Sequence, residues 1–226
     1  MRFTYSPWIT AKLEDLKSLT DRGTRIYMPK DTVIYDQDEG SGYVYVLEEG
    51  RVRLVYLAQD GSEHILMFAL RGGIFGELEC MEKISSLVRA ETLTDCSIYK
   101  IPEAGFMEAM SADPELTLFI AKELAHKLHV ISVGFISISV DETKNRVARI
   151  LLSTADIFGH EENGSIRIDL PITQQEIANL VNSTRLTVGN ILRDFTALGL
   201  IKKQDTHFFL LNRDELEKIA LSDRKD

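Results

Sequence analysis

Between Gly23 and Ile101 the chain alternates apolar and polar residues in short runs: RIYMP, TVIYD, YVYVLEEG, RVRLVYLAQDG, EHILMFAL, RGGIFGEL, SLVRAETL and CSIYKIP. A period of two puts every second side chain on one face of a pleated strand, so each run reads as a strand with one buried face. Eight such runs at close spacing predict an antiparallel roll or barrel. Gly50, Gly61, Gly72 and Gly76 sit where tight turns or close backbone approach would be needed. A short amphipathic helix over residues 10–22, TAKLEDLKSLTDR, leads into this region.

The period changes at Asp113-Pro114, where proline suits the first position of a helix. Leu124, Leu128, Ile131, Phe135 and Ile138 follow at spacings of 4, 3, 4 and 3, the a/d pattern of a helix seam, and Thr117 and Ala121 continue it backwards. A second apolar set, Leu116, Leu118, Phe119, Ile120 and Val130, lies off that seam. A helix apolar on two faces needs two partners. The roll is the expected partner of one face, and the same helix of a second subunit the partner of the other, giving a C2 dimer; the competing reading buries the seam within one chain. A further helix, TKNRVARILLSTADIFG, a loop over His160 to Gly164 and a strand, SIRIDLP, come next. The expected organisation is α+β: a roll over 1–112, a dimerisation helix over 113–140 and a third domain over 141–226, with a hinge near Val140 to Thr143.

Within the third domain, TQQEIANLVNSTRLTVGNILR (173–193) reads as a helix-turn-helix. Thr173 and Glu176 have capping-box spacing, so a helix starts there, with Ile177, Leu180 and Val181 as its apolar face and Ala178 small enough for a second helix to approach. Asn182 stands at the turn, where positive φ is needed and Asn tolerates it. Ser183 or Thr184 caps the next helix, on which Val188, Ile191, Leu192 and Phe195 point inward and Arg185, Leu186, Thr187 and Asn190 outward. Leu198-Gly199 ends it, and LIKK and FFLL on either side of Gln204-Asp205-Thr206 form a wing.

Composition narrows the classes. With 226 residues and 44% apolar content the chain can bury a sizeable core. No uninterrupted apolar run approaches the roughly 20 residues that span a bilayer, and MRFTYSPW has no signal-peptide apolar region, so a cytoplasmic protein without a membrane partner is expected. Cys80 and Cys96 alone build neither a disulfide scaffold nor a four-thiolate metal site, and no metal site is expected. The net charge is −9, and residues 141–226 carry 12 Lys or Arg against 14 Asp or Glu. DNA affinity would therefore depend on local placement, with Arg185, Arg193, Lys202 and Lys203 aimed at phosphates and bases.

The order of domains, with GGIFGEL, SLVRAET, PELTLFIAKELAHKL, NRVARILL and ITQQEIANLVNSTRLTVGNILR, resembles the CRP/FNR superfamily of bacterial transcription regulators over essentially the whole chain. The resemblance implies a cyclic-nucleotide-binding-type β-roll, a long dimer helix and a C-terminal winged helix-turn-helix. It implies no enzyme activity, and as partners palindromic double-stranded DNA, a second copy of the chain, RNA polymerase and a small-molecule effector. In members that bind cyclic AMP, Gly-Glu-Leu holds the ribose, an Arg-Ser pair the phosphate and a Thr-Ser pair the purine. Here Gly76-Glu77-Leu78 is present, but Ile84-Ser85 and Ile131-Ser132 replace the two pairs. Without the guanidinium a buried cyclic phosphate loses a charge-assisted contact, so cyclic AMP is not the expected effector. The expected pocket is apolar, Leu54, Leu66, Phe68, Phe75, Leu78, Ile84, Val88 and Ile131, rimmed by Glu77, Ser85, Ser132 and Lys127 beside Gly76. The effector and any cofactor stay unidentified, and a packed roll without ligand is an alternative.

Rival readings are weaker on ligands. An iron–sulfur redox sensor needs a cysteine cluster near the N-terminus, and residues 1–30 have none; haem sensing has only Cys80 in the segment to Ser85. His126 and His129 lack a third metal ligand. A cupin-type metalloenzyme fused to a winged helix needs clustered histidines, and His64 is the roll's sole one. A winged helix used only for protein contacts gives no role to Arg185. By the resemblance, Arg185 contacts a guanine, which its bidentate geometry suits. Leu186 replaces a common Glu and can meet a thymine methyl, and Asn190 replaces a common Arg and could pair with adenine or reach a phosphate. Thr173, Gln174, Gln175, Ser183, Thr184 and Thr187 would position the helices on the backbone.

Overall fold

The computed structural model describes residues 6–40 and 42–222, so part of the MRFTYSPW segment lies outside the described residues. It forms two compact units, Pro7–Leu128 and the chain from His129 onward.

The first unit opens with β1 (Trp8–Ile9), a 3-10 turn (Leu13–Leu16) and α1 (Lys17–Thr20), so the amphipathic stretch is helical in two short pieces. Then come β2 (Thr24–Met28), β3 (Val33–Tyr35), β4 (Tyr43–Glu49), β5 (Val52–Leu57), β6 (Glu63–Ala69), β7 (Ile74–Phe75), α2 (Glu77–Glu82), β8 (Arg89–Thr92) and β9 (Cys96–Pro102). They form one sheet in the order β1-β6-β5-β8-β3 and another in the order β2-β9-β4-β7. The four expected turn glycines all have positive φ. Gly76 (φ 85°) starts α2, and a Cβ there would lie 2.7 Å from the Tyr43 carbonyl oxygen. GGIFGEL is therefore a two-residue strand and a helix, not one strand run.

Two helices follow, α3 (Glu103–Ala112), which the sequence reading left out, and α4 (Pro114–Val140). Leu116 and Ile120 are buried in a core with Leu16, Val44, Ile74, Ile101 and Phe106, against which Leu124 packs half-buried. Leu124 thus belongs to the roll-facing side as well as to the seam, while Leu118, expected on the roll, is exposed. By composition alone α4 could cross a bilayer, with mean hydropathy 1.2 over an 18-residue window. Part of that apolarity is spent on the core, and Leu128, Ile131, Phe135 and Ile138 remain exposed.

The second unit holds the end of α4, then α5 (Thr143–Phe158), β10 (Gly159–Glu162), β11 (Ser165–Ile168), α6 (Gln174–Leu180), α7 (Arg185–Ala197), β12 (Ile201–Gln204), β13 (His207–Leu210) and α8 (Arg213–Leu221). Its sheet runs β10-β11-β13-β12, all antiparallel. The expected loop over His160 to Gly164 is instead a strand and a two-residue hairpin turn, Asn163 (φ 50°) and Gly164 (φ 78°). That is the backbone a primed turn requires.

Candidate functional site

The helix-turn-helix is built by side chains that satisfy its own backbone ends. The Thr173 hydroxyl accepts from the Glu176 N–H at 3.1 Å and the Glu176 carboxylate from the Thr173 N–H at 2.7 Å, closing the capping box of α6. Asn182 takes φ 49° at the turn. Thr184, not Ser183, caps α7, accepting from the Thr187 N–H at 3.1 Å. Val188, Leu192 and Phe195 are buried and Ile191 half-buried, which forces Arg185, Leu186, Thr187 and Asn190 outward. Leu186 is 74% exposed.

Gln174, Arg185, Leu186 and Asn190 share one groove between α7 and the wing, joined by Arg193 and Lys203 and lined by no carboxylate. The acidic balance of residues 141–226 is thus compatible with a locally basic groove. Register decides which wing lysine takes part. Lys203 pairs with Phe208 across the hairpin and shares its face, whereas Lys202 pairs with Phe209 on the opposite face. Only Lys203 lines the groove, so Lys202, expected to aim the same way, is corrected by the pleat. The Asn190 side-chain oxygen accepts from Arg193 at 2.9 Å, which ties the two exposed side chains together and leaves the Asn190 amide group able to donate. Gln175 is turned back, donating to Asn179 at 2.7 Å. The Thr184 and Thr187 hydroxyls bond each other at 2.9 Å.

The roll answers the expected pocket differently. Tyr45 and Phe75 stack at 5.3 Å, and Tyr35, from the other sheet, lies 5.7 Å from Tyr45 and 6.3 Å from Phe75. These rings meet between the two sheets. Tyr35 pairs with Ala90 and Ala90 with Leu54, so Leu54 faces inward. Phe68 pairs with Arg53, one position off, and so lies on the outer face, stacked on Trp8 at 5.0 Å. Leu66 is half-buried at the bulge between the Leu54–Met67 and Val55–Ile65 pairs. Leu78 and Ile84 are 43% and 44% exposed, and Ser85 is exposed. The reason is local: α2 turns Glu77, Glu79 and Cys80 inward, leaving Leu78 outward, and Lys83 at φ 54° directs the chain out again. Val88 is buried; Ile131 and Ser132 are exposed on α4.

Charge at this end of the roll is what the sequence reading missed. Glu77, its side chain 5% exposed, pairs with Lys127, which also donates to the Ile74 carbonyl at 2.8 Å. The second oxygen of Glu77 is buried with no hydrogen-bond partner. Glu79, also buried, accepts from Ser86 at 2.6 Å. Burial, then the Glu79 and Glu77 carboxylates, raises the Tyr35 phenol well above its ordinary pKa. Burial first, then Glu103, Glu79 and Glu77, pushes the Cys80 thiol up to about 11, so it stays a neutral thiol at pH 7. Glu79 had a faint signal, since a six-residue helix after Gly76 would bring positions 77, 79 and 80 inward together only if the interior accepted carboxylates.

Known proteins point the same way. Residues 25–113 match the cyclic nucleotide-binding domain family and residues 145–219 the Crp-like helix-turn-helix domain family. The chain is 30% identical over 181 residues to the cAMP-activated global transcriptional regulator CRP of Salmonella typhimurium, covering 77% of this chain and 83% of that protein. FixK2 from Bradyrhizobium japonicum superposes with a TM-score of 0.77 at 25% identity, covering 88% of this chain and 98% of that one. A CooA mutant from Carboxydothermus hydrogenoformans, 21% identical, shares the fold with a TM-score of 0.83 over 94% and 97% of the two chains. With its roll, long helix and winged helix-turn-helix, the chain belongs to the CRP/FNR superfamily of DNA-binding transcription regulators, which are not enzymes.

Proposed function

We propose that the chain acts in the cytoplasm as a homodimer that reads palindromic DNA with α7, and that a small effector other than a cyclic nucleotide acts on its roll. The observation that carries the DNA reading is the groove in which Arg185, Arg193 and Lys203 stand together without a carboxylate. Arg185 reads a guanine, Leu186 meets a thymine methyl, Asn190 pairs with adenine or reaches a phosphate, and Arg193 and Lys203 take phosphates. Thr173, Gln174, Ser183, Thr184 and Thr187 supply short donors near the backbone. RNA polymerase is a partner by analogy with the family.

The dimer rests on the exposed seam: Leu128 is 66% and Phe135 73% exposed, with Ile131 and Ile138 in register between and after them. A second copy of α4 covers these in knobs-into-holes packing. The effector reading rests on Gly76, Glu77 and Lys127 beside Phe75 and Val88. The Glu77–Lys127 pair consumes the cation, and buried Glu79 adds negative charge, so a phosphate or carboxylate is disfavoured there. A ligand offering a hydrogen-bond donor to the free Glu77 oxygen fits better.

The test is binding to DNA selected from a randomised pool, with light scattering, for the parent and for Ile131→Asp with Phe135→Asp. The expected result is a dimeric parent that enriches a palindrome and a monomeric double variant with no operator binding. A variant that stays dimeric places the interface elsewhere; a parent that enriches no sequence refutes the DNA reading.

A further inference from the structure

Two arginines of α5 lie outside the groove and hold the second unit together at its turning points. Arg146 donates from Nε to the Val181 carbonyl at 3.0 Å, from Nη1 to the Asp141 carbonyl at 2.6 Å and from Nη2 to the Thr143 hydroxyl at 3.2 Å. Val181 is the C-cap of α6, and a helix end leaves its last carbonyls without partners inside the helix. The next residue, Asn182, is the left-handed turn from which α7 departs. Arg149 donates from Nη1 to the Ser137 hydroxyl at 2.8 Å and to the Asp141 carboxylate, which is 10% exposed, and from Nε to the Ala220 carbonyl at 2.9 Å near the end of α8. The last turns of α4, its junction with α5, the turn of the helix-turn-helix and the end of α8 therefore meet on two guanidinium groups.

A shallow cleft with room for about one water lies beside Arg146 and Arg149, between Gly134, Ile138, Leu180 and Val181. Apolar contact across a gap sets no angle, whereas planar guanidinium groups with several fixed donors do. Burial lowers the Arg146 pKa, against the opposing effect of Asp141, so its charge is partly desolvated and its hydrogen bonds are costly to lose. The junction near Val140 to Thr143, expected from sequence to be a hinge, carries hydrogen bonds from both arginines in this structure.

We propose that Arg146 and Arg149 are positioning residues for sequence-specific DNA binding: they fix the turn and the α4–α5 junction, and so the direction in which α7 presents Arg185. This rests on the reading of α7 as the base-reading helix. Neither arginine lines the groove, and both spend their donors on groups of the same unit.

The test compares specific and non-specific DNA affinity, each across a salt series, for the parent, Arg146→Gln, Arg146→Lys, Asp141→Asn and Arg146→Gln combined with Arg185→Ala. Positioning predicts that Arg146→Gln lowers the specific to non-specific ratio by about fivefold or more, the low end of one base contact. Non-specific affinity and its salt slope should stay at the parent's values, because no phosphate contact is removed. Arg146→Lys and Asp141→Asn should fall between parent and Arg146→Gln, with circular dichroism confirming that they fold. The double variant should discriminate no worse than Arg185→Ala alone, since both changes remove one contact. A parent-like ratio in a folded Arg146→Gln or Arg146→Lys, equal losses of specific and non-specific affinity, or full additivity with Arg185→Ala would overturn the positioning role. A parent without sequence preference would overturn the DNA reading beneath it.

Discussion

The helix-turn-helix and the roll spend their side chains in opposite ways. In α7 one row is buried and the other, Arg185, Leu186, Thr187 and Asn190, is left exposed. In the roll, Tyr35, Tyr45 and Phe75 pack on one another between the sheets, and Lys127 pairs with one oxygen of Glu77 and Ser86 with Glu79, while the second Glu77 oxygen is buried without a partner. Exposure alone is ordinary; what sets the α7 row apart is that Arg185 and Asn190 share one groove with Arg193 and Lys203. The roll is a different case: it matches the cyclic nucleotide-binding domain family, and the chemistry of its lining decides what enters.

This contrast can be broken most sharply at Phe75. Replacing it with Ala removes a buried ring stacked on Tyr45, and the roll should lose about 3–5 kcal/mol in denaturant unfolding while operator contacts by α7 persist. The resulting cavity should bind small apolar aromatics that leave the parent unchanged in a thermal-shift assay. A parent stabilised by the same compounds would show that its interior is open. A smaller effect is expected in the other region from Asn182→Val, since a β-branched residue at φ 49° costs about 1–2 kcal/mol. Thr173→Ala should cost about 1 kcal/mol by removing the α6 cap, and an unchanged melting profile would mean the capping box contributes nothing.

The smallest response is expected from cyclic AMP: calorimetry should show no micromolar binding, because Ile84 offers no counter-charge and Glu79 and Glu77 repel an anion. Ile84→Arg should not restore it either, since position 84 is directed outward after Lys83. Micromolar affinity in either protein would mean that the interior rearranges around a nucleotide.

Legibility followed how local each determinant is. Thr173, Asn182 and Thr184 act on backbone groups within three residues of themselves, so the helix-turn-helix could be read almost residue by residue. The α4 helix was legible too, from its spacing, and its row Leu128, Ile131, Phe135 and Ile138 is exposed. The hairpin over 159–168 was hidden because His160, Glu161 and Glu162 carry no apolar alternation, although Asn163-Gly164 was a usable turn signal. Helix α3 went unread beside the louder α4, with Phe106 and Ala109 as its buried residues. The faces of Phe68 and Lys202 depended on register between strands, and the Glu77–Lys127 pair joins residues 50 positions apart. No local pattern encodes these.

The central claim, that α7 reads sequence through Arg185 from a groove with Arg193 and Lys203, is tested most directly by site selection with Arg185→Ala. Specific affinity should fall by about 1–3 kcal/mol, and the selected site should lose its preference at one guanine in each half while the remaining positions persist. An Arg185→Ala protein that selects the same site as the parent, guanine included, would contradict the account.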